Sequence, residues 1–245
     1  MNEGLDPERG ALLLVDKPVG WTSYNVVSKV RKTLRKLCGQ RVKVGHAGTL
    51  DPLASGLLVL GTGSCTRQLQ GLADADKRYR AVLHLGQTTP SHDQETEVEE
   101  ERPWDHIGEA EIRALLARFQ GPGMQRPPDF SAKHVEGERA YHLARKGAPV
   151  HLPPVPVVIH RIELLAMDGP EVTLDVLCSK GTYVRALARD IGRALGCGAH
   201  LAGLRRTASG PLRVEDARTP DQWSQWFDQW VASRDVPPGE PSKLP

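Results

Sequence analysis

The sequence predicts an α+β fold, a mixed and largely antiparallel sheet flanked by helices. Three patterns carry that reading. Apolar runs of strand length lie at 11–15 and 54–60, strict alternation runs from Lys77 to Gln87, and apolar stripes recur at helical spacing in 26–37 and 184–195.

The elements follow in order. Residues 11–15 read as a short buried strand closed by Asp16-Lys17-Pro18-Val19-Gly20. Thr22 or Ser23 caps a helix reaching about Leu37, with Val26, Val27, Val30, Leu34 and Leu37 on its inner face. A buried strand over Ala54–Leu60 ends at Gly61-Thr62-Gly63. In the alternating segment Tyr79, Ala81, Leu83 and Leu85 share one face, and Arg78, Arg80, Val82 and His84 share the other. Two further strands, Val155–Met167 and Val172–Cys178, join through the turn Asp168-Gly169-Pro170. Gly181 or Thr182 then opens a helix with Val184, Leu187, Ala188, Ile191 and Leu195 inward. Arg185, Arg189 and Arg193 lie on another face, and Gly196 is the stop.

Periodicity fades between Gly121 and Pro154. There Phe130, Lys133, His134, Arg139, Tyr141, Arg145 and Lys146 mix rings with cations. Such a mixture suits a clamp on nucleic acid, where rings stack on bases and cations meet phosphates. It equally suits a plain surface insertion. Trp223, Trp226 and Trp230 mark a final helix, and the proline-rich last ten residues are expected to be disordered.

Composition narrows the class. With 245 residues, 39% hydrophobic and 25% charged, the chain can bury a substantial core. Its apolar runs are too short to cross a bilayer, and the N-terminus has no secretory h-region. Cys38, Cys65, Cys178 and Cys197 are scattered, as expected of reduced thiols in a cytoplasmic protein rather than a disulfide framework or zinc site. Net charge is only +2. Acid gathers in 93–105, while unbalanced Lys and Arg gather in 133–146 and 180–213, so a phosphate-binding face would use the second set.

The densest chemical signal is Gly45-His46-Ala47-Gly48-Thr49-Leu50-Asp51-Pro52. Two glycines permit a tight turn or close approach to a ligand, and Pro52 keeps Asp51 out of helical geometry. The result is a stiff loop presenting one carboxylate and one imidazole, as a site built on positioning needs. The plain alternative is a turn whose aspartate bonds only its own backbone.

Four more segments join it. Leu13-Leu14-Val15-Asp16-Lys17-Pro18-Val19-Gly20-Trp21-Thr22-Ser23, Asp76-Lys77-Arg78-Tyr79, Cys178-Ser179-Lys180-Gly181-Thr182-Tyr183-Val184-Arg185 and His200-Leu201-Ala202-Gly203-Leu204-Arg205-Arg206 fall in order at fitting intervals. With these five segments the chain resembles the TruB family of tRNA pseudouridine synthases, from Leu12 to about Arg213. The resemblance implies the pseudouridine synthase fold and conversion of uridine 55 in the tRNA T-loop to pseudouridine. It implies catalytic roles for Asp51, Arg185 and Tyr79, with Tyr79 stacking on the uracil. It also implies RNA or base contacts from His46, Tyr183, Leu204 and Lys180, and more loosely from Arg206. No cofactor or metal is expected, since the reaction is an isomerisation without redox change or group donor.

Physical reasoning supports the pairing of Asp51 with Arg185. A carboxylate in a cleft without water is driven towards its inert neutral form, so it needs a cation that stays charged when buried. The resemblance also implies one catalytic domain over 1–220, with a thumb-like insertion at about 121–154, then a helix and tail at 221–245 without the PUA domain common in bacterial members. The T-arm of tRNA is the expected partner, with no obligate protein partner and a monomeric state. Ala47 and His134 depart from the family's usual Thr and Lys. Two rival readings are a non-catalytic tRNA-binding protein or chaperone, and a metal-dependent hydrolase built on His92-Asp93.

Overall fold

The computed structural model describes residues 6–131, 134–135, 138–146, 150 and 152–234. The chain divides into two units, Met1–Asp74 with Pro211–Pro245, and Ala75–Gly210.

The first unit begins with strand β1 (Leu12–Lys17), followed by helix α1 (Ser23–Cys38). Of the two candidate caps, Thr22 takes the role. Its hydroxyl accepts from the Asn25 N–H while the Asn25 side-chain oxygen accepts from the Thr22 N–H, a reciprocal capping box. Gly39 ends the helix at φ 69. Val26, Val27, Val30 and Leu34 are buried as the stripe predicts. Strand β2 (Val44–Ala47) and strand β3 (Ala54–Thr62) follow, then helix α2 (Leu69–Asp74). β3 lies between β1 and β2 in antiparallel register, Leu12 opposite Gly61 and His46 opposite Leu60.

The second unit opens with β4 (Lys77–Leu85) and a small ribbon, β5 (Gln87–Thr88) against β6 (Glu100–Glu101). Helix α3 (Glu109–Phe119) leads into β7 (Gly121–Gln125). A two-residue ribbon, β8 (His134–Val135) with β9 (Glu138–Arg139), runs into helix α4 (Ala140–Arg145). Then come β10 (Val155–Asp168), β11 (Glu171–Cys178), α5 (Val184–Leu195) and β12 (Ala199–Ser209). Within this unit the antiparallel order is β12-β4-β11-β10-β7. Tyr79, Ala81, Leu83 and Leu85 form a buried row on β4. α5 packs on β12 and β4, and α3 packs on β10. The opposite row is polar, Arg78 forking onto Asp175 with contacts of 2.8 and 2.9 Å.

The chain then re-enters the first unit through β13 (Leu212–Arg213) and α6 (Pro220–Arg234). α6 packs along α1, with Trp223 and Phe227 buried and the Trp223 indole donating to the Leu14 carbonyl at 2.8 Å. Isolated parallel bridges join Val15 to Arg218 and Asp93 to Leu201, so the fold is α+β and its pairing mixed but mainly antiparallel.

Three elements run against or beyond the sequence expectation. Gly121–Gln125 is an edge strand, and α4 packs Ala140 with Val150 and Leu152 in a small satellite cluster, so the aperiodic stretch contains regular structure. Lys133 and the C-terminal proline-rich segment lie outside the described residues. Alternation does not disclose β12 either, because bulges at Leu201/Gly203 and Arg206/Ala208 break its period of two. Gly192 lets α5 sit directly on its start: a Cβ there would stand 2.1 Å from the Ala199 nitrogen.

Lys17 is wholly buried, and its ammonium donates to the carbonyls of Pro18 (3.0 Å), Trp21 (2.5 Å) and Pro52 (3.3 Å). Lys17→Met keeps the volume but leaves carbonyls in the interior without that donor, and is expected to cost about 3 kcal/mol in urea unfolding.

Candidate active site

The sequence-predicted residues fall into two sets, one in each unit. In the first unit, β2 carries His46 and the turn beyond it carries Asp51. The two glycines act differently. Gly48 adopts φ 86 and makes the turn, whereas Gly45 makes room, since a Cβ there would lie 2.9 Å from Leu69. Ser23, weighed as a helix cap, is instead a buried clasp. Its hydroxyl accepts from the Leu50 N–H at 2.8 Å and donates to the Leu50 carbonyl at 3.1 Å. On the other side of Asp51, the Pro52 carbonyl accepts from Lys17 and from the Gly20 N–H (2.8 Å). The Asp51 carbonyl itself accepts from Ala54 at 3.1 Å. The backbone is therefore held at three successive residues while the Asp51 side chain stays half-buried.

In the second unit, Arg185 sits in the first turn of α5 and is buried. Its guanidinium donates to the carbonyls of Ser91 (3.2 Å) and Phe130 (3.0 Å), and its Nε lies 3.5 Å from Asp93. Arg185 thus gathers the 91–93 loop and the segment after β7 around one planar cation, whose fork suits several oxygens at once. Asp93 is itself fixed by the Ser91 hydroxyl (2.6 Å) and the Glu95 N–H (2.9 Å). Although it heads the acidic run of 93–105, Asp93 is buried, whereas Glu95, Glu97, Glu99, Glu100, Glu101 and Asp105 are exposed. Sequence reasoning weighed Asp93 only beside His92 as a metal ligand and missed its place at Arg185, which depends on a fold-back onto β12 where the Leu201 N–H meets the His92 carbonyl at 2.9 Å.

The helix α5 begins at Val184, two or three residues after the expected start at Gly181 or Thr182. Tyr183 precedes it, and both its backbone groups bond the Gln125 amide, at 2.8 and 3.1 Å. The Thr182 hydroxyl bonds Ser179 instead of the helix. Gln125 gave no signal in the sequence, yet it fixes Tyr183. Tyr79 is buried in the inward row of β4, 9% exposed, opposite Val176 and Arg206. Leu204, opposite Ala81 on β12, is half-buried, and Lys180 is exposed. Arg206, loosely read as an RNA contact, is 1% exposed and belongs to the interior of the unit. Of the three arginines along α5, Arg185 is inside, Arg189 half-buried and Arg193 exposed.

His92 has a left-handed backbone (φ 61), and burial, reinforced by nearby Arg189, pushes its pKa down to about 4. The imidazole is neutral in the folded chain at pH values where the unfolded chain already binds a proton. Stability is therefore lost as pH falls from about 6.5 towards 4, by roughly 3 kcal/mol from this residue. His92→Asn keeps a side chain tolerant of that backbone. Urea unfolding at pH 7 and 4.5 should show a smaller acid loss in the variant than in the parent. Among the described residues, no group of three or more His, Cys, Asp or Glu is placed to hold a metal ion, and Asp93 of the His92-Asp93 pair is engaged as above.

The chain matches the family model of the TruB pseudouridylate synthase N-terminal domain over residues 35–184, and that of the tRNA pseudouridylate synthase B C-terminal domain over 185–233. It is 48% identical to tRNA pseudouridine synthase B of Phocaeicola vulgatus, covering 91% of this chain and 95% of the relative. It is 47% identical to tRNA pseudouridine synthase B of Chlorobium luteolum, covering 95% and 81%. Among solved structures, a chain from the crystal structure of a Cbf5-Nop10-Gar1 complex superposes with a TM-score of 0.71 at 30% identity, covering 94% of this chain and 58% of that one. The chain belongs to the TruB family of pseudouridine synthases, isomerases that act on tRNA.

Proposed function

We propose that the chain isomerises uridine 55 of the tRNA T-loop, with Asp51 as the reacting carboxylate. The observation that carries this is the clamped backbone on both sides of Asp51, set by Ser23, Lys17 and Gly20. In the reaction the N1–C1′ bond breaks, the uracil turns, C5 bonds to C1′, and the C5 proton is lost as N1 gains one. Atoms and electrons balance without a co-reactant.

Three routes are open to Asp51. It adds to uracil C6, attacks C1′ as the base departs, or takes the C2′ proton to give a glycal. Each needs the ionised acid, and Arg185 is the cation assigned to keep it so. Tyr79 is the stacking surface for the uracil. His46 fills the place the uridine vacates, Tyr183 and Leu204 line the base pocket, and Lys180 meets the backbone. Turning the uridine out of its stack costs on the order of a few kcal/mol, which these contacts offset. Recognition is then chiefly of loop shape, oriented by phosphate contacts. The 121–154 segment acts as a thumb over the RNA arm, with the enzyme working as a cytoplasmic monomer.

Asp51→Asn separates catalysis from binding. It is expected to abolish pseudouridine formation, read by chemical mapping of a T-arm transcript, while leaving RNA affinity within a few-fold. Retained turnover would remove Asp51 from the chemistry. If recognition is confined to the T-arm, whole tRNA and an isolated T-arm hairpin should turn over with similar kcat/KM; a large preference for whole tRNA would contradict it.

A further inference from the structure

Between Asp16 and Asp51 the sequence has no acidic residue, yet α1 carries Lys29, Arg31, Lys32, Arg35 and Lys36. The fold turns part of this basic run into a groove. Gly20, Trp21, Asn25, Ser28, Lys29, Lys32 and Thr33 line an open groove of about 530 Å³ along α1. Asn25, Ser28, Lys29, Lys32 and Thr33 recur at helical spacing on the side of α1 away from the buried Val26, Val27, Val30 and Leu34. At one end the Lys29 ammonium stands 5.5 Å from the centre of the Trp21 ring. Tyr24 projects beside the groove, 64% exposed.

The groove's position gives it meaning. Gly20, which lines it, donates its N–H to the Pro52 carbonyl at 2.8 Å, immediately after Asp51. The Lys17 ammonium bonds the carbonyls of both Trp21 and Pro52. Groove and Asp51 loop are thus one rigid piece of the first unit.

We propose that this groove is a subsite for the sugar–phosphate backbone of the T-arm strand that runs on from the target uridine. Lys29 and Lys32 meet phosphates and the Trp21 indole packs against a ribose or base. The chemistry matches: ammoniums neutralise phosphates, and an indole face stacks on any nucleotide without regard to sequence. Lys29 is held in the free protein by Asp221 of α6, whose side chain is 83% exposed. A phosphate entering the groove competes with that carboxylate for the same ammonium. The proposal rests on the reading that places the uridine at Asp51.

The test is Lys29→Gln/Lys32→Gln in the full chain, titrated with whole tRNA and with a T-arm hairpin over a range of salt. Affinity is expected to fall about five- to ten-fold on both RNAs, with the slope of log K against log salt reduced by roughly 1 to 2. In turnover assays the loss should fall on KM rather than kcat, unlike Asp51→Asn, whose loss falls on kcat alone. Arg35→Gln/Lys36→Gln removes equal charge from the same helix outside the groove, and should leave affinity within two-fold. Asp221→Asn, which frees Lys29, should tighten binding about two-fold, a gain that no merely structural role produces. The proposal is overturned if the groove pair leaves the salt slope unchanged, or if the control pair weakens binding equally. Loss confined to whole tRNA would overturn the T-arm as occupant.

Discussion

One buried ammonium organises the part of the first unit that carries Asp51. A lysine head group taken out of water must find oxygens on every side, because an uncompensated interior charge costs several kcal/mol. Lys17 finds them in the carbonyls of Pro18, Trp21 and Pro52. These belong to two loops distant in sequence, so satisfying one charge locks the turn after β1 to the residue following Asp51. Ser23 adds a second lock at Leu50. The aspartate therefore projects from a backbone with little freedom left, and the groove beside α1 shares its anchor.

The second unit applies the same economy to a guanidinium. Arg185 binds oxygens from Ser91 and Phe130 and faces Asp93, so a segment before α3 and one after β7 are set by a single side chain on α5. Gln125 repeats the device with a neutral amide, pinning both backbone groups of Tyr183. Isomerisation of a nucleotide requires no external reagent, so the protein's contribution is geometry and charge placement. A framework of buried, multiply bonded polar groups supplies both.

Much of this was legible before any coordinates. β1, α1, β3, β4, β10, β11 and α5 appear within a residue or two of where periodicity placed them, because each buries one face and so must repeat at its own period. Asp51, Tyr79 and Arg185 could be singled out from the motifs they occupy. β12 escaped because its two bulges scramble the alternation, and β2 because a four-residue strand containing glycine and histidine has no apolar signature. Asp93 was hidden in an acidic run whose other members are solvated, and Arg206 in a basic segment that suggested a surface.

What the chain's order alone determined was periodicity, turn chemistry and the family's five segments, and with them the fold class and the reaction. These are local quantities, readable from neighbours along the backbone. Tertiary structure alone decided which charges are inside. Lys17, Asp93, Arg185 and Arg206 are buried while Lys32, Lys36 and Arg193 face water, although nothing in their residue types separates the two groups. The reason is physical: an ion can be buried only where distant segments bring it enough oxygens or nitrogens, and that supply exists only once the chain has folded.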